Sequence, residues 1–175
     1  LVIGGSQGAK VFDDKVKNSI INLSKNNKIK VYHQTNFLNF DYLKSIYEKH
    51  DIECKIFDFE ENIFKFIDQS NLVITRAGAS TLSELAFLKV PFVAIPYKFA
   101  TDDHQFENAK EYESKNCCWI IKENEFSNEK LTTLSNYINE NRDEYEFKKK
   151  NLKQFSYQNN WKNINKQILD LLNEN

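Results

Sequence analysis

Short apolar runs alternating with longer amphipathic stretches constrain this chain more than any other feature. Leu1–Ile3, Ile29–His33, Glu53–Phe57, Leu72–Thr75, Pro91–Ile95 and Cys117–Ile121 are compact and mostly apolar, and each predicts a strand. Between them apolar residues recur at helical spacing. Ala9–Ser24 carries Phe12, Val16, Ile20 and Leu23 on one stripe, and Phe40–His50 carries Leu43, Ile46 and Tyr47. Further helices are expected over Glu61–Gln69, Ser80–Leu88 and Asp103–Ser114, and from Ser127 onward the chain is Asn/Lys-rich and mostly helical. Strands joined through helices form right-handed βαβ units, and these build a parallel sheet covered on both faces. The expected fold class is therefore α/β, with a Rossmann-like parallel sheet.

Bulk properties narrow the function without naming it. A chain of 175 residues is long enough for one domain with a real core. Apolar residues make up 41% and charged residues 28%, a globular balance. The net charge of −1 gives no push toward nucleic acid. No apolar run approaches the ~20 residues that span a bilayer, and LVIGGSQGAK lacks the features of a signal peptide. Cys54, Cys117 and Cys118 suit a reduced, cytosolic chain, and their spacing fits no zinc site. There is no methionine, and the chain opens inside an expected strand. The expectation is a single domain over residues 1–175, cut at a domain boundary with something missing upstream.

The few glycines are placed informatively. Gly4, Gly5 and Gly8 lie in GGSQGA, where a strand hands over to a helix. Glycine allows close backbone approach there, and the following helix presents N–H groups and a positive dipole end to a phosphate. Ser6 adds a hydroxyl donor. A tight turn that simply needs glycine explains the same residues. A dinucleotide site would want an acid after the second strand, but that strand ends in Tyr32-His33-Gln34. No Gly-Lys-Ser/Thr follows, so the turn is not a Walker motif either. RAGASTLSE, Arg76–Glu84, is a second strand–glycine–helix junction around Gly78 and Ala79. Ser80 or Thr81 could cap its helix, with Thr81 and Glu84 at capping-box spacing. Equally, Glu84 could accept from two vicinal ribose hydroxyls.

TDDHQFENA, Thr101–Ala109, follows the fifth expected strand. Asp102 or Asp103 is placed as a helix N-cap, a reading preferred over a metal site because adjacent carboxylates diverge on a helix. His104, Gln105 and Asn108 share one helix face. Amides offer donor and acceptor together, which suits sugar hydroxyls, although an ordinary polar helix face has the same pattern.

GGSQGA, His33-Gln34, RAGASTLSE and PYKFATDDHQFENA, in this order, resemble the C-terminal half of the MurG family of GT-B glycosyltransferases, and the resemblance runs the length of the chain. The family transfers N-acetylglucosamine to lipid I in peptidoglycan synthesis. The resemblance implies one half of a GT-B enzyme, binding UDP-GlcNAc, with the N-terminal acceptor domain absent. Gly5, Ser6, Gln7 and Gly8 would meet the diphosphate, and Glu84 the ribose. Phe59 and Glu60 match the segment whose backbone reads uracil, and Ile63 would pack near the base. Gly78 belongs to the second turn, and the Ala79 backbone with His104, Gln105 and Asn108 would grip the GlcNAc hydroxyls. Arg76 would orient its loop rather than touch ligand.

Further implications concern the reaction and its surroundings. Transfer would invert the anomeric centre, with no cofactor and no divalent metal required for donor binding. The acceptor site, the catalytic base and any peripheral membrane contact would belong to the missing half. The place of action would be the cytoplasmic face of the plasma membrane, with lipid I as a partner and no nucleic acid. The tail Glu140–Asn175, including Trp161, would cross toward that half or mediate association. Three rival readings stand beside this one: the soluble subunit of a two-chain GlcNAc transferase, a UDP-sugar hydrolase, and an α/β domain for another nucleotide.

Overall fold

A computed structural model describes residues 1–4 and 10–158. The sheet has six strands: β1 (Val2–Ile3), β2 (Lys30–Gln34), β3 (Glu53–Phe57), β4 (Val73–Thr75), β5 (Phe92–Ala94) and β6 (Cys118–Ile120). All pairings are parallel, in the order β3-β2-β1-β4-β5-β6. This is the doubly wound order, whose direction of growth reverses between β1 and β4. The helices are α1 (Lys10–Ser24), α2 (Phe40–Lys49), α3 (Ile63–Asp68), α4 (Ala79–Leu88), α5 (His104–Ser114), α6 (Asn128–Glu140) and α7 (Arg142–Gln158). The expected α/β class and parallel sheet are observed, with element ends within one or two residues of expectation. Short 3-10 turns at Phe37–Asn39, Thr101–Asp103 and Glu123–Glu125 are additional.

The central strands β1, β4 and β5 are buried on both faces, so their neighbouring residues feed opposite cores, whereas the edge strand β3 leaves Glu53 and Lys55 exposed. Val2, Val31, Ile74, Val93 and Trp119 point to one face, where Phe12, Val16 and Ile20 of α1, Tyr47 of α2 and Leu131 and Ile138 of α6 close over them. Ile3, Val73, Phe92, Ala94 and Cys118 point to the other, under α3, α4 and α5. The last helix serves both faces, with Tyr145 in the first core and Leu152 in the second. Both Cys117 and Cys118 are buried, and burial pushes the Cys117 thiol up to about 11, so neither is a ready nucleophile. No helix among the described residues is long and apolar enough to cross a membrane. Trp161, to which the sequence assigns an external contact, lies outside the described residues.

Candidate functional site

Ligands of open α/β sheets bind beyond the carboxyl ends of the strands, where the strand order reverses. Here that place lies between the turn after β1 and the junction after β4. Gly5, Ser6, Gln7 and Gly8 fall outside the described residues, so the site is built from the β4, β5 and β6 side and from what lies beneath β1 and β2.

The β4 junction forms α4 without a side-chain cap. The helix begins at Ala79, with Gly78 as N-cap in an extended conformation, φ −68° and ψ 136°. The expectation that Ser80 or Thr81 caps the helix is thus corrected. Both sit inside the first turn, and Glu84 lies in the second rather than in a capping box. The reason is local: extended backbone at Gly78 lets its carbonyl accept from Leu82 N at 3.0 Å, so the helix starts one residue before Ser80 and its cap lies two residues before it. The first N–H groups of α4 then lack intrahelical partners. Nothing in the backbone of Gly78 demands glycine, and a Cβ there would meet no described atom within 4 Å. Among the described residues nothing therefore crowds the Gly78 position. The half-buried Glu84 carboxyl is pushed up from its ordinary value by burial.

Side chains from neighbouring loops fix this junction. Gln105 Oε1 accepts from Tyr97 N at 3.0 Å and Ala77 N at 3.3 Å, while Asn108 Nδ2 donates to the Ala77 carbonyl at 3.1 Å. α5 is therefore bracketed to the ends of both β4 and β5. The Gln105 amide nitrogen and the Asn108 amide oxygen are not engaged among the described residues. Arg76 donates to the Ile95 carbonyl at 3.1 Å and pairs with Glu123 at 2.5 Å, and its guanidinium lies over the Phe12 and Tyr97 rings. Burial opposes ionisation of Glu123, but the Lys98 backbone N–H and Arg76 outweigh it and hold the carboxyl below its ordinary value. Sequence spacing could not reveal Glu123, because its partner lies 47 residues away.

The approach to α5 holds a second correction. Asp102 and Asp103 both adopt left-handed backbone, each with φ 51°. Asp103 occupies the N-cap position but makes no side-chain cap hydrogen bond. A capping side chain reaches N2 or N3 from extended backbone, and the left-handed conformation forfeits that geometry. His104 opens α5 on the exposed side. On the far side of the sheet, Phe59 is 80% exposed just past β3, Ile63 begins α3, and Glu60 pairs with Lys55 at 3.4 Å. Among the described residues no three or more His, Cys, Asp and Glu side chains are grouped as metal ligands.

Beneath the β1 and β2 ends lies a buried polar cluster that the sequence reading passed over. Asp13 of α1 accepts through Oδ2 from Thr35 Oγ1 at 2.7 Å and from Asn39 Nδ2 at 2.8 Å. Its Oδ1 faces His33 Nε2 at 3.5 Å, and His33 Nδ1 lies 2.8 Å from the Tyr47 hydroxyl. The available signal was an acid and a base, Asp13 and Lys17, set one turn apart beside the apolar stripe Phe12–Val16–Ile20.

Known proteins agree with this architecture. Residues 1–168 match the glycosyltransferase family 28 C-terminal domain. The UDP-N-acetylglucosamine–N-acetylmuramyl-(pentapeptide) pyrophosphoryl-undecaprenol N-acetylglucosamine transferase of Pelagibacter ubique is 49% identical over all 175 residues, which cover 49% of that protein. The enzyme of the same name from Sulfurovum sp. is 37% identical over 134 residues, 77% of this chain and 39% of its own. The chain thus spans about half the length, or less, of the curated relatives it matches. The crystal structure of Acinetobacter baumannii MurG superposes with a TM-score of 0.77 at 25% identity, covering 87% of this chain and 44% of that one. From the strand order, from the loops that close around its reversal and from these likenesses, the chain belongs to the glycosyltransferase family 28 C-terminal domain family.

Proposed function

We propose that this chain is the donor-binding half of a glycosyltransferase that takes UDP-GlcNAc and passes GlcNAc, with inversion, to the MurNAc C4 hydroxyl of lipid I. The observation that carries the reading is the open N-terminus of α4 at the strand-order reversal, bracketed by Gln105 and Asn108 and flanked by the half-buried carboxyl of Glu84. The relatives are named for GlcNAc transfer, and the polar groups at the α4 junction support the reading of a donor site.

In this reading Gly5, Ser6, Gln7 and Gly8 hold the diphosphate. Phe59, Glu60 and Ile63 border the uracil, and Glu84 accepts from the ribose hydroxyls. Gln105 and Asn108 each spend one half of an amide on the backbone and offer the other half to the sugar, beside His104 and the Ala79 backbone. Helix N-termini stabilise charge on the departing UDP, and no divalent metal is needed to hold the donor. Arg76 positions the junction through Glu123 and Ile95. The catalytic base, the lipid I site and contact with the cytoplasmic membrane face belong to the other half of the enzyme, where transfer is completed.

Calorimetric titration with UDP-GlcNAc and UDP-GalNAc, each with and without EDTA, tests the reading. Binding that prefers GlcNAc and ignores EDTA is expected. Equal binding of both sugars removes the sugar role from Gln105 and Asn108, and no binding of either by the folded chain overturns the proposal. Glu84→Ala should weaken UDP binding by about 1.5–3 kcal/mol for each ribose hydrogen bond lost. Unchanged affinity takes Glu84 out of the site.

A further inference from the structure

The loops after β4 and β5 are bridged twice, at consecutive residues. In one bridge Glu123 takes the Arg76 guanidinium on Oε1 at 2.5 Å and Lys98 N on Oε2 at 2.9 Å. In the other, Gln105 Oε1 takes Ala77 N at 3.3 Å and Tyr97 N at 3.0 Å. The bridges therefore run side by side, Arg76 to Lys98 and Ala77 to Tyr97. Arg76 couples them further, since its guanidinium also donates to the Ile95 carbonyl and lies 5.2 Å from the Tyr97 ring.

Both backbone groups that face the Gln105 amide are N–H donors, so its oxygen faces them and its NH2 is turned the other way. That orientation lasts only while two amides from different strands stay within reach of one oxygen, and the Ala77 contact is already long. A neutral amide holds such a spacing weakly. The Glu123 carboxylate holds it more strongly, because its contacts are charge-assisted and its side chain is only 12% exposed. Glu123 stands in the turn Glu123–Glu125 after β6, so it braces the two loops from a third. We propose that Glu123 is a specificity-determining positioning residue: by fixing the distance between the β4 and β5 loops it locks the Gln105 amide with its NH2 toward the donor sugar, and so sets the preference between sugars that differ at one hydroxyl. The inference rests on the reading of this chain as a UDP-GlcNAc-binding domain. Glu123 touches no ligand in it and acts through Gln105.

UDP-GlcNAc and UDP-GalNAc are titrated into wild type, Glu123→Ala and Glu123→Gln, under conditions where urea denaturation shows each protein folded. Both ligands carry the same UDP, so a general loosening of the junction weakens them alike and leaves their ratio unchanged. The side-chain amide of Gln105 is followed by NMR, assigned by its loss in Gln105→Ala. Glu123→Ala should lower the preference for UDP-GlcNAc by about fivefold. It should also move the Gln105 amide protons toward the shifts of an exposed glutamine. Glu123→Gln is nearly isosteric and keeps one acceptor but sets an NH2 among two donors. It should fold even if the alanine variant does not, and show both changes at smaller size. Equal weakening of the two ligands, or a lower preference with the Gln105 amide unmoved, overturns the role of Glu123 alone. Wild type that binds both sugars equally overturns the sugar role of Gln105 and this inference with it, and wild type that binds neither overturns the donor-domain reading itself.

Discussion

The two halves of the sheet that meet at the strand-order reversal hold their loops by different means. On the β4–β6 side the links lie in the loops themselves. Arg76 reaches Ile95 and Glu123, and Gln105 and Asn108 reach the backbone of Ala77 and Tyr97. On the β1–β2 side the link lies between α1, β2 and α2, where Asp13, His33, Thr35 and Tyr47 are all buried. Amides with one half still available can serve fold and ligand at once. A buried acid whose two hydrogen-bond donors are neighbouring side chains serves the packing of α1 against β2. Substitutions on the first side should therefore mix stability with sugar selectivity, whereas those on the second should act on stability.

The largest expected effect comes from cutting the first side at the charge pair that joins the β4 loop to the turn after β6. Arg76→Ala strands the Glu123 carboxylate, whose side chain is 12% exposed, and removes a donor from the Ile95 carbonyl. A loss of about 3 kcal/mol in urea denaturation is expected. Wild-type stability in this variant would show that the pair does not hold the β4–β6 loops. Gln105→Leu comes next, since it leaves the Ala77 and Tyr97 amides without their acceptor and should cost about 1–3 kcal/mol. Gln105→Glu sharpens the comparison. It keeps an acceptor for both amides and removes the NH2, so the fold should hold while the preference for UDP-GlcNAc over UDP-GalNAc falls. A variant that loses stability but keeps its selectivity would mean that Gln105 serves the fold alone.

Each side also contains a carboxyl held below its ordinary value against the opposing effect of burial: Asp13 by His33, Thr35 and Asn39, and Glu123 by Lys98 and Arg76. The unfolded chain binds the proton first, so their stabilisation is complete above the ordinary carboxyl range near about 4. It is lost as the pH falls through the lower folded values. Thermal unfolding between neutral and acid pH should show that decline, and Asp13→Asn and Glu123→Gln should each flatten it. An acid limb unchanged in both variants would assign the loss to other carboxyls.

Legibility in the sequence divided along physical lines. Glu53–Phe57 was readable to the residue, because a short run alternating polar and apolar residues reports an edge strand with one face exposed. The α4 start was misplaced by one residue, since periodicity cannot say whether Gly78 or Ser80 is the last extended position. Arg76, Gln105 and Asn108 are singled out by their motifs, yet their hydrogen-bond partners are not, because loop-to-loop hydrogen bonds leave no trace in spacing. Asp13 was missed because an acid beside an apolar stripe reads like any surface charge until β2 and its turn are folded against it. The Gly5–Gly8 turn, on which the resemblance leans most, stays outside the described residues.

The smallest expected effect tests whether the acids before α5 matter as acids or as backbone. Asp103 holds φ 51° with no capping hydrogen bond, so its contribution should come from tolerance of left-handed backbone. Asparagine shares that tolerance, and Asp103→Asn should change stability by less than about 0.5 kcal/mol and leave UDP-GlcNAc affinity alone. Valine does not share it, and Asp103→Val should cost about 1–2 kcal/mol and loosen the approach to Gln105. If valine is as harmless as asparagine, the left-handed pair does not constrain α5, and the bracket to Ala77 and Tyr97 suffices. If asparagine abolishes binding and binding by the wild type requires a divalent metal, the carboxylate acts as a ligand, and the β4–β6 side carries a second charge centre beside Arg76 and Glu123.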